Sequence, residues 1–241
     1  MAEMDDLLPT LFSKTFFIVS AQLLITWLTT HAVFVFFERI DPKLSDTNQS
    51  DSKIVEDVEQ RWRWIFTDST QNLILVVWFA TFLILLFWGE YQELPISFSV
   101  FSAWSIITGI MLEYVLITFD QGLGRRVIAL TAAIILLCAV IGIYSKIDLG
   151  FLQPFLFIAL NGLVLFSILR LFGAMKSVRQ GAVSSFGIGL FTLYLLFDFN
   201  SVAKRQAAGQ NSWIDAMRMA IKIYLDAINL LLHLLSKHHH S

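Results

Sequence analysis

Four ionisable side chains lie in stretches of the chain that are otherwise apolar: Glu113, Asp198, Lys222 and Asp226. A charged group inside a membrane-length apolar segment is costly, so it is usually paired or functional. Three of the four are carboxylates, which can hold protons and can supply oxygen ligands to a hard cation such as Ca²⁺. The chemistry open to this set is therefore proton binding and cation binding between apolar helices.

Asp198 and Asp226 are spaced so that two antiparallel helices would bring them together. Gly209 suits the position just after a helix, and Ser212 followed by Asp215 is a variant of the capping box that opens the next helix. With the turn there, Asp198 lies about 15 Å before the end of the first helix and Asp226 about 20 Å after the start of the second. The two carboxylates then lie at similar depth and could face each other.

Two carboxylates close together in a low dielectric cannot both ionise easily, so such a pair holds a shared proton and can sense pH. The protonated pair would close as a neutral latch, whereas the ionised pair would repel itself and attract cations. Asp198 and Asp226 would then be transient calcium ligands. The alternative is two independent aspartates, each paired with a basic group. Lys222, four residues before Asp226 on the same helical face, is one such partner.

Asn229 and His233 extend the polar face of the last helix, because Lys222, Asp226, Asn229 and His233 follow a 4-3-4 spacing. That face should turn toward other helices or water and away from lipid. We assign Glu113 and Asn229 to a candidate cation path, and Lys222 and His233 as candidate modulators. The alternatives are an interfacial carboxylate for Glu113 and a simple interfacial hydrogen bond for His233.

The composition of the chain indicates a membrane environment. Of its 241 residues, 56% are hydrophobic and only 15% are charged, against about 45–50% and about 25% in soluble domains. The mean hydropathy is +0.69, and the net charge of −2 offers no basic surface for nucleic acid. This excludes a soluble enzyme, a nucleic-acid-binding domain and a disordered chain. We predict an integral, multi-pass membrane protein in a membrane that the sequence leaves open.

Stretches of about 20 mostly apolar residues can span a bilayer, and the chain has six of them and a seventh that carries charges. Continuous apolar runs indicate helices, because barrel strands would alternate with period two. The sequence predicts an all-α polytopic protein, a single membrane domain over residues 1–241 with an extramembrane acidic loop at 38–67. The predicted spans are 12–37, 68–89, 94–118, 126–145, 149–171, 181–208 and 213–235.

The last third of the chain resembles the Bax inhibitor family, the transmembrane Bax inhibitor motif proteins. Leu193–Asn200 (LYLLFDFN) and Ile223–Leu230 (IYLDAINL) carry the resemblance. In that family an aspartate near the end of the sixth helix and another in the seventh form a diaspartyl pH sensor, which corresponds to Asp198 and Asp226 here. Three further segments are similar to the family's start of helix one, third-helix motif and connection from helix four to five: Leu11–Phe16, Gly109–Glu113 and Ile141–Leu152.

The resemblance implies seven transmembrane helices, with the last, polar helix packed centrally among the other six, and a pH-sensitive calcium leak. In eukaryotic members this leak accompanies suppression of cell death. The implied partners are the lipid bilayer, calcium as the permeant ion and other membrane proteins, with no nucleic acid and no resident cofactor. The chain departs from the family at Gly89–Glu93, which is acidic where some members are basic, and in the longer loop 38–67.

The sequence favours a pH-sensitive, calcium-permeable leak channel gated by the aspartate pair, and not an enzyme. The alternative is a membrane scaffold or regulator of other membrane proteins in a cell-death or stress pathway. Small residues such as Gly181, Gly187 and Gly189 permit close helix packing and would serve that role as well as internal packing.

Two other hypotheses rank lower. An intramembrane aspartyl protease would need two membrane aspartates, but Gly189 is followed by Leu190 where the usual motif has Asp, and the chain has no Pro-Ala-Leu motif. A retinal-binding protein would use Lys222 as its Schiff-base lysine, but the third helix has no acidic counterion motif beyond Glu113.

Overall fold

The computed structural model describes residues 7–40, 77, 78, 80–85, 92–116, 121–145, 147–171 and 180–239, and these residues form helices and turns without a strand. The predicted all-α class is thereby confirmed. Six α-helices and one 3₁₀ turn at Leu149–Leu152 account for most of these residues. The helices are α1 (Leu11–Ile40), α2 (Leu94–Leu116), α3 (Gln121–Tyr144), α4 (Gln153–Leu171), α5 (Gln180–Ala207) and α6 (Trp213–His239).

All six of these helices are long and apolar enough to cross a membrane, which makes the chain an integral, multi-pass membrane protein. The predicted second span, 68–89, lies largely outside the described residues, which are helical there at 77, 78 and 80–85. The predicted acidic loop 38–67 also lies outside them beyond residue 40. The count of seven spans therefore stays a prediction.

Three helices extend beyond the predicted spans. α3 begins at Gln121 rather than at 126 and so includes Arg125 and Arg126, α6 continues to His239 rather than ending at 235, and α1 runs to Ile40 rather than to 37. The predicted bounds followed the apolar residues alone. Backbone hydrogen bonding continues into polar residues at the ends of such helices, because only the bilayer core requires apolar side chains.

The chain divides into two compact units, one made of Met1–Val19 with Gly122–Ser241 and the other of Ser20–Gln121. In the second unit, α1 and α2 approach closely through hydroxyl groups: Thr26 Oγ1 donates to the Ser105 carbonyl at 3.3 Å, and Thr30 Oγ1 donates to the Gly109 carbonyl at 3.0 Å. A Cβ on Gly109 would lie 2.6 Å from the Thr26 carbonyl oxygen. Glycine is therefore required for this close contact between the two backbones.

In the first unit, the start of α1 is fastened to the turn between α5 and α6. The buried Lys14 donates from Nζ to the Asn211 carbonyl at 3.0 Å and lies 5.2 Å from the centre of the Trp213 ring. The Phe12 amide donates to Gln206 Oε1 at 3.0 Å. The ammonium of Lys14 thus exchanges water for a carbonyl and an aromatic face, which are favourable partners for a buried cation.

α6 is the most enclosed of the six membrane-length helices that the structure describes. In the apolar 18-residue stretch of α6, 67% of the residues are buried. The corresponding stretches of α5 and α4 have 39% and 11% of their residues buried. α6 also carries most of the polar residues expected to avoid lipid, so its burial has a direct physical reason. α4, by contrast, exposes several large apolar side chains, among them Phe155, Phe157 and Ile158.

Candidate functional site

A tight turn joins α5 to α6 and sets their antiparallel register. Gly209 has a φ of +77°, which only glycine adopts without strain, and its amide donates to the Gln206 carbonyl at 3.0 Å. The Asp215 amide donates to Ser212 Oγ at 3.0 Å, and that hydroxyl donates to Asp215 Oδ2 at 2.6 Å. The helix stop and the capping box predicted from these residues are confirmed.

The structure brings Asp198 of α5 and Asp226 of α6 side by side. The two residues are only 4% and 8% exposed, and their carboxyl groups are close enough to interact with each other. Oδ2 of Asp226 is fully buried and has no hydrogen-bond partner among the described residues. An ionised carboxylate only accepts hydrogen bonds, so two carboxyl groups can bond to each other only with a proton on one of them. That the pair shares a proton stays a prediction.

Three further polar groups act on the pair through space. Lys222 and Arg205 attract the Asp198 carboxylate, and Tyr194, one helical turn before Asp198, interacts with both carboxylates. Lys222 also attracts Asp226, yet no ion pair joins Lys222 to either aspartate in the described part of the chain. The arrangement is therefore one carboxyl pair and not two separate ion pairs.

Lys222 differs in exposure from the rest of the polar face of α6. Its side chain is exposed, whereas Asp226 is buried and Asn229 and His233 are half-buried. A lysine ammonium is strongly hydrated, and its long aliphatic stem lets it reach the surface from a helix that is otherwise enclosed. Asn229 uses its Nδ2 on the Leu225 carbonyl of its own helix, at 2.9 Å.

His233 continues the contact between α5 and α6 beyond the pair. Its ring stacks on Phe191 with the centroids 5.5 Å apart, and it lies directly over Gly187. One turn further along, the hydroxyls of Ser184 and Ser236 are 2.9 Å apart. We call this line of contacts the α5–α6 seam: Ser184, Gly187, Phe191 and Asp198 on α5 with Asp226, His233 and Ser236 on α6.

Gly187→Ala is expected to displace the His233 ring, because a Cβ at this position would lie 2.5 Å from three ring atoms. The cost should be about 1–3 kcal/mol of stability, since Phe191 limits where the ring can move. Removal of the ring by His233→Ala should relieve most of that cost. In thermal unfolding in detergent, the double variant should therefore lose less stability than the two single variants lose in sum. Gly189→Ala, which meets open space, is the control. Strict additivity would contradict this contact.

Glu113 lies three residues before the end of α2, at the end of its apolar membrane-length stretch, and is buried with 5% exposure. It belongs to the second unit, whereas the aspartate pair belongs to the first. Its place in a cation path stays a prediction, as does that of Asn229.

The described residues contain no group of three or more histidine, cysteine or acidic side chains that could hold a metal ion. Calcium in proteins takes about 6–8 oxygen ligands. The two carboxylates of the pair are by themselves too few for a tight calcium site, and their role as transient calcium ligands stays a prediction.

Sequence reasoning missed Asn200, which is 3% exposed and lies two residues after Asp198. Its Oδ1 accepts from the Leu149 amide at 3.2 Å, and its Nδ2 donates to the carbonyls of Gly142 and Ile147, each at 3.1 Å. The sequence feature that could have identified Asn200 is an amide side chain in an apolar helix, two residues from an aspartate. A search limited to charged residues does not find it.

Comparison with known proteins gives one family and several relatives. A family model described as inhibitor of apoptosis-promoting Bax1 matches residues 8–237. An uncharacterised membrane protein of Streptococcus pyogenes serotype M6 is 29% identical over 150 residues, which is 60% of this chain and 63% of that protein. LIFEGUARD 1 of Arabidopsis thaliana is 32% identical over 143 residues, 59% of this chain and 54% of that protein. The matched region thus covers less than two thirds of either relative.

Proposed function

The chain belongs to the Bax inhibitor family of membrane proteins, and on that premise we propose that it is a pH-sensitive, calcium-permeable leak channel gated by the Asp198–Asp226 pair. The observation that supports this proposal is the pair of buried, interacting carboxyl groups between α5 and α6. Such a pair binds a proton within the membrane-spanning part of the protein, where proton binding can change how two helices pack.

The gate works through the charge of the pair. With one shared proton, the carboxyl groups hold α5 against α6 as a hydrogen-bonded latch. Loss of that proton leaves two like charges, which repel by roughly 4 kcal/mol at about 4 Å in an effective dielectric of about 20. An energy of that size shifts a two-state equilibrium by about a thousandfold. The same two charges attract a calcium ion to the separated helices.

The test is calcium influx into liposomes that contain the purified protein and a trapped calcium dye, measured at several pH values. We expect influx that changes with pH and exceeds that of protein-free liposomes. Absence of influx at every pH, from protein shown to be folded, would contradict the channel. In that case the family membership stands, and a scaffold or regulator of other membrane proteins becomes the better hypothesis.

Asp148→Asn should leave the pH profile of this influx unchanged between about pH 5 and 8, and it is the matched control for the pair. The hydrogen bond from Lys204, with that from the Gly150 amide, lowers the pKa of the exposed Asp148 carboxyl. The pKa of this carboxyl is thus lower in the folded protein than its value of about 3.9 in an unfolded chain. The stabilisation by the ionised Asp148 is therefore complete above that pH and is lost only as the pH falls below it. A changed profile in this variant would contradict the assignment of the pH response to the pair.

A further inference from the structure

The connection between α3 and α4 is bound to α5 by a buried amide. Asn200 makes three hydrogen bonds to main-chain groups in and beside this connection: it accepts from the Leu149 amide and donates to the carbonyls of Ile147 and of Gly142, which lies in the last turn of α3. Main-chain groups between helices have no partners within regular structure and must find them elsewhere. The segment that resembled a family motif, 141–152, is therefore held against α5 by one side chain.

A second contact fastens the same place. A Cβ on Gly142 would lie 2.8 Å from the Leu196 carbonyl oxygen and 3.0 Å from the Asn200 backbone nitrogen, so α3 touches the backbone of α5 directly. The exposed ion pair between Lys204 and Asp148 lies nearby but contributes little to this hold, because surface ion pairs are weak. We call the set without this ion pair the clasp: Gly142, Ile147 and Leu149 with Asn200.

The clasp and the aspartate pair hold opposite faces of one short stretch of α5. Residues two apart on a helix point about 200° apart around the axis and differ by about 3 Å in height. Asp198 meets Asp226 on one face, and Asn200 meets the α3–α4 connection on the other. Any rotation or axial slip of α5 that moves Asp198 must therefore strain or break the bonds of Asn200.

We propose that Asn200 is the positioning residue of the gate: through the clasp it fixes the rotation and depth of α5 at which Asp198 meets Asp226. This inference rests on the proposed function for its meaning, but its geometry can be tested without calcium or pH. The competing explanation is that Asn200 only satisfies the main chain of the connection. That role would affect the stability of the whole unit and not the position of Asp198 in particular.

The experiment compares disulfide cross-linking at two points of the α5–α6 seam, in protein whose native cysteine is removed by Cys138→Ser. The reporter pair is Asp198→Cys with Asp226→Cys, beside the clasp. The reference pair is Ser184→Cys with Ser236→Cys at the far end of the seam, where the hydroxyls are 2.9 Å apart. Brief oxidation followed by mass spectrometry of the linked peptides gives the rate for each pair.

Asn200→Leu is introduced into both cross-linking backgrounds. Asn161→Leu is the matched control, because Asn161 is exposed on α4 and its Nδ2 donates only to the Phe157 carbonyl of its own helix, at 2.7 Å. We expect Asn200→Leu to slow the reporter pair by about tenfold, as small misplacements of reacting groups do, and to leave the reference pair unchanged. Asn161→Leu should change neither rate.

An unchanged reporter rate in folded Asn200→Leu protein would overturn the inference. If Asn200→Leu does not fold, the smaller Asn200→Ser removes the amide without adding bulk. Equal slowing of both pairs in that variant would show a general structural role and would also overturn the inference. Neither cross-link involves calcium, so a wild-type protein without influx would defeat the channel and leave the positioning role standing.

Discussion

Asp226→Asn is expected to hold calcium influx, at every pH, near the value that the wild-type protein reaches at its acid limit. The asparagine amide has nearly the shape of a protonated carboxyl group and can donate a hydrogen bond to Asp198, but it cannot lose a proton in this range. The hydrogen bond between the two side chains would therefore keep α5 against α6 as the pH rises. A single titrating proton gives the wild type up to about tenfold change per pH unit, whereas the variant should change by less than about twofold.

The measurement is the liposome influx assay with the wild type, Asp226→Asn and Asp148→Asn reconstituted at equal density. Asp148→Asn removes a carboxylate of the same chain outside the membrane-spanning helices and should keep the wild-type profile. An Asp226→Asn profile with the wild-type midpoint would show that the proton sensed is not held by the pair. Asp198→Asn gives an independent check, because it also removes one carboxyl group of the pair and should give the same result.

Gly142→Ala is expected to lower the stability of the protein by about 1–3 kcal/mol, the range for overpacking a close contact. The added Cβ would lie 2.8 Å from both the Leu196 carbonyl oxygen and the Phe199 Cβ, and 3.0 Å from the Asn200 nitrogen. Two of these atoms are main-chain atoms and the third is a Cβ, whose position does not change when the side chain rotates. No change of rotamer can therefore relieve the contact. α3 and α5 would have to separate, which would also stretch the hydrogen bond from Asn200 to the Gly142 carbonyl.

Thermal or denaturant unfolding in detergent measures this effect. Gly162→Ala is the control, because a Cβ there meets nothing within 4 Å. Alanine is favoured over glycine in a helix interior by about 0.5–1 kcal/mol, so the control should be as stable as the wild type or slightly more so. Equal stability of Gly142→Ala and Gly162→Ala would mean that the close approach of α3 to α5 does not exist in solution.

Local chemistry accounts for what the sequence could predict. The turn between α5 and α6 follows from a glycine at a positive φ and a serine that caps the next helix, both of which are visible in the residues themselves. Once that turn is placed, helical rise alone puts Asp198 and Asp226 at similar depth. The apolar stretches gave the membrane-length helices for the same reason, because the thickness of a bilayer fixes their length.

The contacts that escaped prediction depend on segments far apart in the chain. Asn200 bonds to groups more than 50 residues earlier, and no periodicity or turn chemistry near Asn200 points to them. The exposure of Lys222 also depends on what packs beside α6, whereas its spacing to Asp226 suggested an ion pair. The spacing of polar residues identifies which of them share a helical face. Only the tertiary packing decides which residues of that face are buried and which are exposed.

The fastening of Lys14 to the α5–α6 turn joins two parts of the chain that are 197 residues apart, so a ribosome makes one well before the other. α1 can insert early, but its lysine receives the Asn211 carbonyl and the Trp213 ring only after the α5–α6 turn has been made. Completion of the first unit therefore waits for α6. Delayed insertion of α6 would leave an ammonium group at the membrane without these two partners, a state that quality-control proteases could recognise.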